Sequence, residues 1–124
     1  MQMLFHLHDH GYSHTDPLIY MWEIYDENQK LTGRYVGKAK GGAKRPLKRY
    51  QKNVRRLLNH QPYHIKGRDY RRVHYALAYA SKHGHTIHLH FLCQATIHSI
   101  NQLEREYIDR YQSCGAESWQ LNAC

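Results

Sequence analysis

The sequence has little acidic charge and no long apolar run. Of its 124 residues, 10 are Asp or Glu against 18 Lys or Arg, so the formal net charge is +8 with the 12 histidines neutral. Such an excess on a small domain indicates a polyanionic partner, nucleic acid above all. Apolar runs such as residues 89–93, broken by His90, are far shorter than the roughly 18 residues of a membrane span, so no membrane partner is expected.

Cysteine is also scarce. Cys93, Cys114 and Cys124 are odd in number and have no C-x-x-C spacing, which argues against a disulfide framework and against a zinc knuckle. The first residues carry no Lys or Arg before their apolar positions and no small-residue cleavage site, so no secretory signal is expected. A reducing cytoplasm is therefore the predicted location.

What is present indicates one folded domain. The hydrophobic content is 41% and the aromatic content 12%, which is too high for a disordered basic tail. We divide the chain into a His-rich leader, residues 1–17, and a single domain, residues 18–124. His6, His8 and His10 alternate in the leader like ligands on a strand, but they match no recognised zinc spacing, so we expect no metal there.

The positive charge is concentrated in one part of the chain. Residues 34–72 hold fourteen of the eighteen basic residues and one acid, Asp69. A segregated block of this kind indicates a contact surface, although a solvated helix face without a partner is the alternative. The candidate nucleic-acid contacts are Lys40, Lys44, Lys48, Arg49, Lys52, Arg56, Arg71 and Arg72.

Hydrophobic periodicity predicts six elements. Alternating or β-branched stretches predict strands, and apolar positions three and four apart predict helices. The order β-β-α-α-β-α predicts an α+β domain in which a small three-stranded antiparallel sheet is flanked by three helices. The strands are expected at 18–25, 34–39 and 86–93, and the helices at 43–58, 69–82 and 99–112.

One carboxylate falls where an ordinary surface helix would not have it. On a helical wheel of residues 99–112, Glu104 lies among the apolar side chains of Ile100, Leu103 and Tyr107. A carboxylate in such a sector needs a cation or a metal. A buried ion pair and a ligand for a hard divalent cation both satisfy this requirement.

A second informative feature is Tyr35-Val36-Gly37, which ends a predicted strand just before the basic helix. Glycine at such a place lets backbone or ligand approach closely. A phenol beside several cations is suited to act as a base.

Together these features resemble the GIY-YIG endonuclease family, and the resemblance runs from residue 18 to residue 122. Leu18-Ile19-Tyr20 matches the first motif, with Leu18 in place of its first glycine, and Tyr35-Val36-Gly37 matches the second. The helix arginine of the family corresponds to Arg45 and its metal-binding glutamate to Glu104. Its terminal asparagine, which orders the site by hydrogen bonds, corresponds to Asn122.

The resemblance implies a DNA endonuclease that hydrolyses phosphodiester bonds with Mg²⁺ or Mn²⁺. It implies that Glu104 holds the metal and that Arg45 grips a phosphate oxygen, where a guanidinium suits the developing charge. Tyr20 or Tyr35 would take the proton from the attacking water, with Lys38 in support, and the choice between the two phenols stays open.

Some alternatives remain at this point. Pro46 allows the helix start to slip, which makes Arg49 a rival of Arg45. His60 and His64 follow the basic helix and are candidates for phosphate contact or proton transfer. The rival function is a catalytically inactive DNA-binding module, a repressor or an adaptor. A symmetric double-strand cut by one site per chain would require a homodimer or a higher oligomer.

Overall fold

The computed structural model describes residues 2–124 and contains four strands and three helices. None of its helices is both long enough and apolar enough to span a membrane. A π-helical turn, Arg45–Arg49, leads directly into α1. The elements are β1 (His6–His8), β2 (Leu18–Tyr25), β3 (Leu31–Ala39), α1 (Tyr50–Leu58), α2 (Arg72–His83), β4 (Thr86–Gln94) and α3 (Ile100–Tyr111).

The sheet is mixed and has four strands in the order β1-β4-β2-β3. β2 runs antiparallel to β3 and to β4, whereas β1 runs parallel to β4. The α+β class is confirmed, but the prediction of a three-stranded antiparallel sheet is wrong. The leader supplies β1, whose three residues are too few to show a period of two and whose partner strand lies some eighty residues later in the chain.

Both faces of β2 are buried because helices lie on each side of the sheet. Trp22 and Ile24 belong to the larger core, into which α1 and α2 insert residues such as Val54 and Leu77. Ile19 and Met21 point the other way, where Ile100 and further residues of α3 cover them. β2 is therefore the central element on which the site is built.

The leader is joined to the start of the basic segment. Ala43 donates its backbone N–H to the carbonyl of His14 at 2.8 Å. Gly42 has φ +92°, and a Cβ at this position would lie 2.6 Å from the same carbonyl oxygen. The close approach explains the glycine. The π-helical turn that follows has Pro46 in its first turn, where the missing N–H costs little.

The C-terminal segment returns along the outer edge of β3. Arg34 donates its backbone N–H to Trp119, and Leu121 donates back to the carbonyl of Arg34, at 2.8 and 3.1 Å. In the same segment Cys114 and Cys124 form a disulfide with Cα atoms 5.4 Å apart.

The sequence argument against a disulfide framework did not anticipate this single disulfide, while Cys93 is free. Sequence spacing could not reveal the pairing, because the turn after α3 is what brings two residues ten positions apart together. Disulfides persist mainly in oxidising compartments. The cysteine argument for a cytoplasmic location is thus lost, and that location stays a prediction.

On the face of the sheet that packs against α3, histidines occupy the end that α3 does not cover. His88 and His90 lie on the face of β4 opposite the larger core, as the alternation of β4 predicts, and His8 of the leader lies beside them. Burial and the neighbouring imidazoles lower the pKa of His8 and of His88. Both effects disfavour the protonated forms of His8 and of His88.

Candidate active site

An open cleft of about 510 Å³ lies beside the end of β3. Cationic side chains, two phenols and one carboxylate line it, together with backbone of residues 39–42. Of the predicted catalytic residues and their candidate supports, the cleft brings together all except Asn122, His60 and His64. Its side chains are Tyr20, Tyr35, Lys38, Lys40, Lys44, Arg45, Arg49, Arg71 and Glu104.

Tyr20 forms the buried floor of this cleft. It pairs across the sheet with Gly37, where a Cβ would lie 2.8 Å from Tyr20 Cε2 and closer still to its hydroxyl. The second motif therefore needs its glycine so that this ring can fit. The Tyr20 hydroxyl is 2.8 Å from that of Tyr50, at the first residue of α1.

The surroundings of Tyr20 oppose its ionisation. Burial raises the pKa of Tyr20, as does the nearby phenol of Tyr35, and the opposing effects of Tyr50 and Arg45 are smaller. Tyr50 is not among the predicted site residues. A tyrosine at a helix start is usually a packing residue, and only its contact with Tyr20 distinguishes it.

Tyr35 is placed differently. Its hydroxyl accepts a hydrogen bond from Arg71 Nη1 at 3.2 Å. The Tyr35 side chain retains 9% exposure against 1% for Tyr20. Arg71 lies just before α2, where its backbone N–H donates to His74 Nδ1 at 3.0 Å. Arg71, predicted only as a DNA contact, is thus also a neighbour of a candidate catalytic phenol.

The rival arginines both line the cleft. Arg45 begins the π-helical turn and Arg49 ends it. Arg45 is the less exposed of the two, and its charge acts on Tyr20 strongly enough to counter part of the rise in that pKa. Arg45 is thus the deeper cation and Arg49 the one nearer solvent.

Glu104 is the acidic residue among those that line the cleft. Its side chain is 21% exposed, and Oε1 lies 3.7 Å from the Nζ atom of Lys38. Lys38 also donates to Asn101 Oδ1 at 2.7 Å. A single half-buried carboxylate facing an open cleft fits a hard divalent cation, which takes one or two carboxylates and completes its shell with water and phosphate. The contact with Lys38 also fits the alternative prediction, in which Glu104 belongs to an ion pair and holds no metal.

Asn122 is buried at the outer edge of β3 and does not line the cleft. Its Oδ1 accepts from the backbone N–H of Val36, and its Nδ2 donates to the carbonyl of the same residue, both at 2.8 Å. Val36 stands between Tyr35 and Gly37. Asn122 therefore positions the second motif through the backbone and does not touch the reacting groups.

A second depression, of about 370 Å³, adjoins the first and shares Arg45, Arg49 and Arg71 with it. His64 lines it, whereas His60 is exposed and lines neither of the two. Its inner wall includes His74, 5% exposed, whose pKa burial and the charges of Arg71 and Arg45 lower to about 4. The sequence carried no signal for this buried histidine.

The predicted nucleic-acid contacts divide into groups. Lys40 and Lys44 line the main cleft and Lys52 the adjoining depression. Lys48 and Arg72 are exposed outside both. Arg56 is half-buried and donates to the carbonyl of Pro62 at 2.9 Å, so part of its hydrogen-bonding capacity holds the loop after α1.

No family model matches this chain. No curated protein and no solved structure is significantly similar to it either. The resemblance to the GIY-YIG family therefore stays a prediction that rests on the sequence motifs.

The arrangement has a definite chemical character. Arginine and lysine side chains surround an open space large enough for a phosphate and its neighbouring sugars, and guanidinium groups suit phosphate oxygens. Beside them stand a phenol held by an arginine and a carboxylate able to hold a hard cation. These groups suit hydrolysis of a phosphate ester.

Proposed function

We propose that the chain is a Mg²⁺-dependent DNA endonuclease of the GIY-YIG type, which hydrolyses phosphodiester bonds. The observation that carries the proposal is the meeting of Tyr20, Tyr35, Arg45 and Glu104 in one cleft. They come from four different elements, β2, β3, the π-helical turn and α3, the last of which lies some fifty residues beyond the others. Packing alone does not require these four residue types to converge on open space.

The surroundings of the cleft support a nucleic-acid substrate. Arg45, Arg49 and Arg71 are common to the cleft and the adjoining depression, so one basic surface runs through both. Contacts of this kind to successive phosphates give affinity that falls steeply with salt. The aromatic ring of Tyr63 in the depression offers a surface on which an unpaired base can stack.

The arginines supply the charge that the reaction needs. The transition state of phosphodiester hydrolysis places extra negative charge on the non-bridging oxygens, and fixed guanidinium donors stabilise it. Arg45, the deeper of the two, binds such an oxygen. Arg49, which lies nearer solvent, contacts the adjacent part of the DNA backbone.

We assign the general base to Tyr35. Its hydroxyl borders the cleft and accepts from Arg71 Nη1 at 3.2 Å, so a cation stabilises the charge that develops when it takes a proton from water. Tyr20 is buried, has a raised pKa and is engaged by Tyr50. Tyr20 thus shapes the floor on which Tyr35 acts.

Glu104 is the residue that would hold the metal. Mg²⁺ or Mn²⁺, when bound, neutralises the scissile phosphate and acts as a Lewis acid toward the departing 3′ oxygen. Lys38, 3.7 Å from Glu104 and held by Asn101, keeps the carboxylate oriented toward the cleft and balances its charge in the free enzyme.

Supercoiled plasmid provides the direct test. With Mg²⁺ the protein should nick or cut it, and with EDTA it should not. Arg45→Ala and Glu104→Gln should each lower the rate by about 10² to 10³, the usual cost of one charge-stabilising group. Glu106→Gln is the matched control, because Glu106 is on the same helix but exposed. Cleavage at the parental rate by both site variants would refute the assignment.

The two phenols are separated by a second pair of variants. Tyr35→Phe should abolish nicking while leaving the folded state intact. Tyr20→Phe should retain measurable nicking, since the hydroxyl it loses meets Tyr50 in the interior. The opposite ranking would transfer the role of base to Tyr20.

The inactive DNA-binding module is the second candidate. The Lys38 to Glu104 ion pair favours it, because it satisfies the carboxylate without a metal. This alternative predicts binding that is independent of Mg²⁺ and no cleavage of any DNA.

One active site per chain nicks a single strand, so a symmetric double-strand cut by the proposed nuclease would also require a homodimer.

A further inference from the structure

The histidine-bearing end of the sheet has the composition of a second metal site. β1 and β4 run parallel with His6 opposite His88 and His8 opposite His90. Because strand side chains alternate, these histidines share a face with Glu23 of β2. α3 covers only the Ile19 and Met21 end of this face, so the histidines border a shallow depression of about 380 Å³.

Three of the histidines are close enough to share an ion. His8 Nε2 lies 2.9 Å from His88 Nδ1, and the rings of His8 and His90 stack with centroids 4.5 Å apart. One ligand nitrogen from each of the three lies within 4.8 Å of the others. Around a tetrahedral zinc the nitrogens stand about 3.3 Å apart. Small side-chain rotations would close the remaining difference.

A negative charge lies beside these imidazoles. Oε1 of Glu23 is 3.4 Å from His90 Nε2, and Glu23 is held from the other side by Arg34, whose Nε donates at 2.8 Å. A carboxylate in contact with one of the three imidazoles is a common arrangement around a bound metal, where it orients the histidine ligand.

We propose that His8, His88 and His90 form a zinc site, with water as the fourth ligand, that fastens the leader strand to β4. Imidazole nitrogens are ligands for Zn²⁺ and not for Mg²⁺, which prefers oxygen. The site shares no residue with the cleft. Zinc here would link parts of the chain eighty residues apart and compensate for the shortness of the three-residue strand β1.

The test uses untagged full-length protein, stripped with EDTA and dialysed. Titration with Zn²⁺ should show one strong site per chain by calorimetry. A hundredfold excess over the Kd should raise the Tm by about 10 °C. Co²⁺ should give the visible absorption of a tetrahedral nitrogen site. Mg²⁺ at the same concentration should do none of these.

Variants locate the site. His88→Gln and His8→Gln should each weaken zinc binding at least tenfold, whereas His98→Gln, an exposed histidine elsewhere, should not. Circular dichroism of each metal-free variant checks that it is folded. Absence of a strong Zn²⁺ site in the parent, or unchanged affinity in both cluster variants, overturns the proposal. Glu104→Gln should bind zinc like the parent, so this result does not depend on the nuclease assignment.

Discussion

Asn122 provides a stability test that needs no substrate. β3 is an edge strand, so the polar backbone groups of Val36 that face away from β2 have no neighbouring strand to bind. The Asn122 amide replaces that strand with two hydrogen bonds of 2.8 Å. Asn122→Ala removes both and leaves the N–H and C=O of a fully buried residue without partners.

The expected cost follows from those two groups. A buried donor or acceptor that loses its partner costs about 1–3 kcal/mol. Two such groups give roughly 2–6 kcal/mol, and entry of water favours the lower part of that range. With an m-value of about 2 kcal/mol/M in urea, typical for a small domain, the midpoint should fall by about 1–2 M.

Urea unfolding followed by circular dichroism measures this shift. Asn28→Ala is the control, because Asn28 is exposed in the turn between β2 and β3, and its effect should stay within about 0.5 kcal/mol. Folded Asn122→Ala protein should also nick plasmid poorly, because Tyr35 and Gly37 flank Val36, whose backbone loses its partner. A midpoint for Asn122→Ala equal to that of the control would refute the reasoning.

Two further predictions concern the disulfide and a buried histidine. Cys124→Ser removes the disulfide, which joins residues ten positions apart, and should lower the free energy of unfolding by about 3 kcal/mol. A reducing agent should lower the Tm of the parent but leave that of the variant unchanged. The pKa of His74 is lowered from 6.5 to about 4, so the unfolded chain binds the extra proton first and stability should fall as pH drops from about 6.5 toward 4, by up to about 3 kcal/mol. His74→Gln should flatten that part of the stability curve measured by urea unfolding, and an unchanged slope would contradict the assignment.

The sequence was informative where a local pattern has one physical meaning. The β-branched and aromatic residues of 18–25 and the alternation of residues 86–93 predicted β2 and β4 closely. The third helix was also predicted almost to its ends, with Ile100 and Leu103 facing the sheet. The same wheel predicted that Glu104 lies in the apolar sector of this helix, and Glu104 is half-buried at the cleft.

Other features depend on contacts between distant residues. A three-residue strand has no periodicity of its own, so the pairing of β1 with β4 could not be read from the leader. The contact of Asn122 with Val36 depends on the return of the C-terminal segment along β3. The disulfide depends on the turn after α3, with which this segment begins. Arg71 received its contact with Tyr35 only through the packing of α2.

Composition and motif spacing alone determined that this is a basic α+β domain with a block of positive charge and a small set of candidate catalytic residues. Charge count and periodicity are properties of the chain, and they survive without coordinates. Only the tertiary structure decided that Tyr20 is enclosed while Tyr35 borders the cleft, and that one histidine of the leader meets two histidines of β4. Burial and distance between remote residues are set by the packing of the whole sheet, which no local pattern encodes.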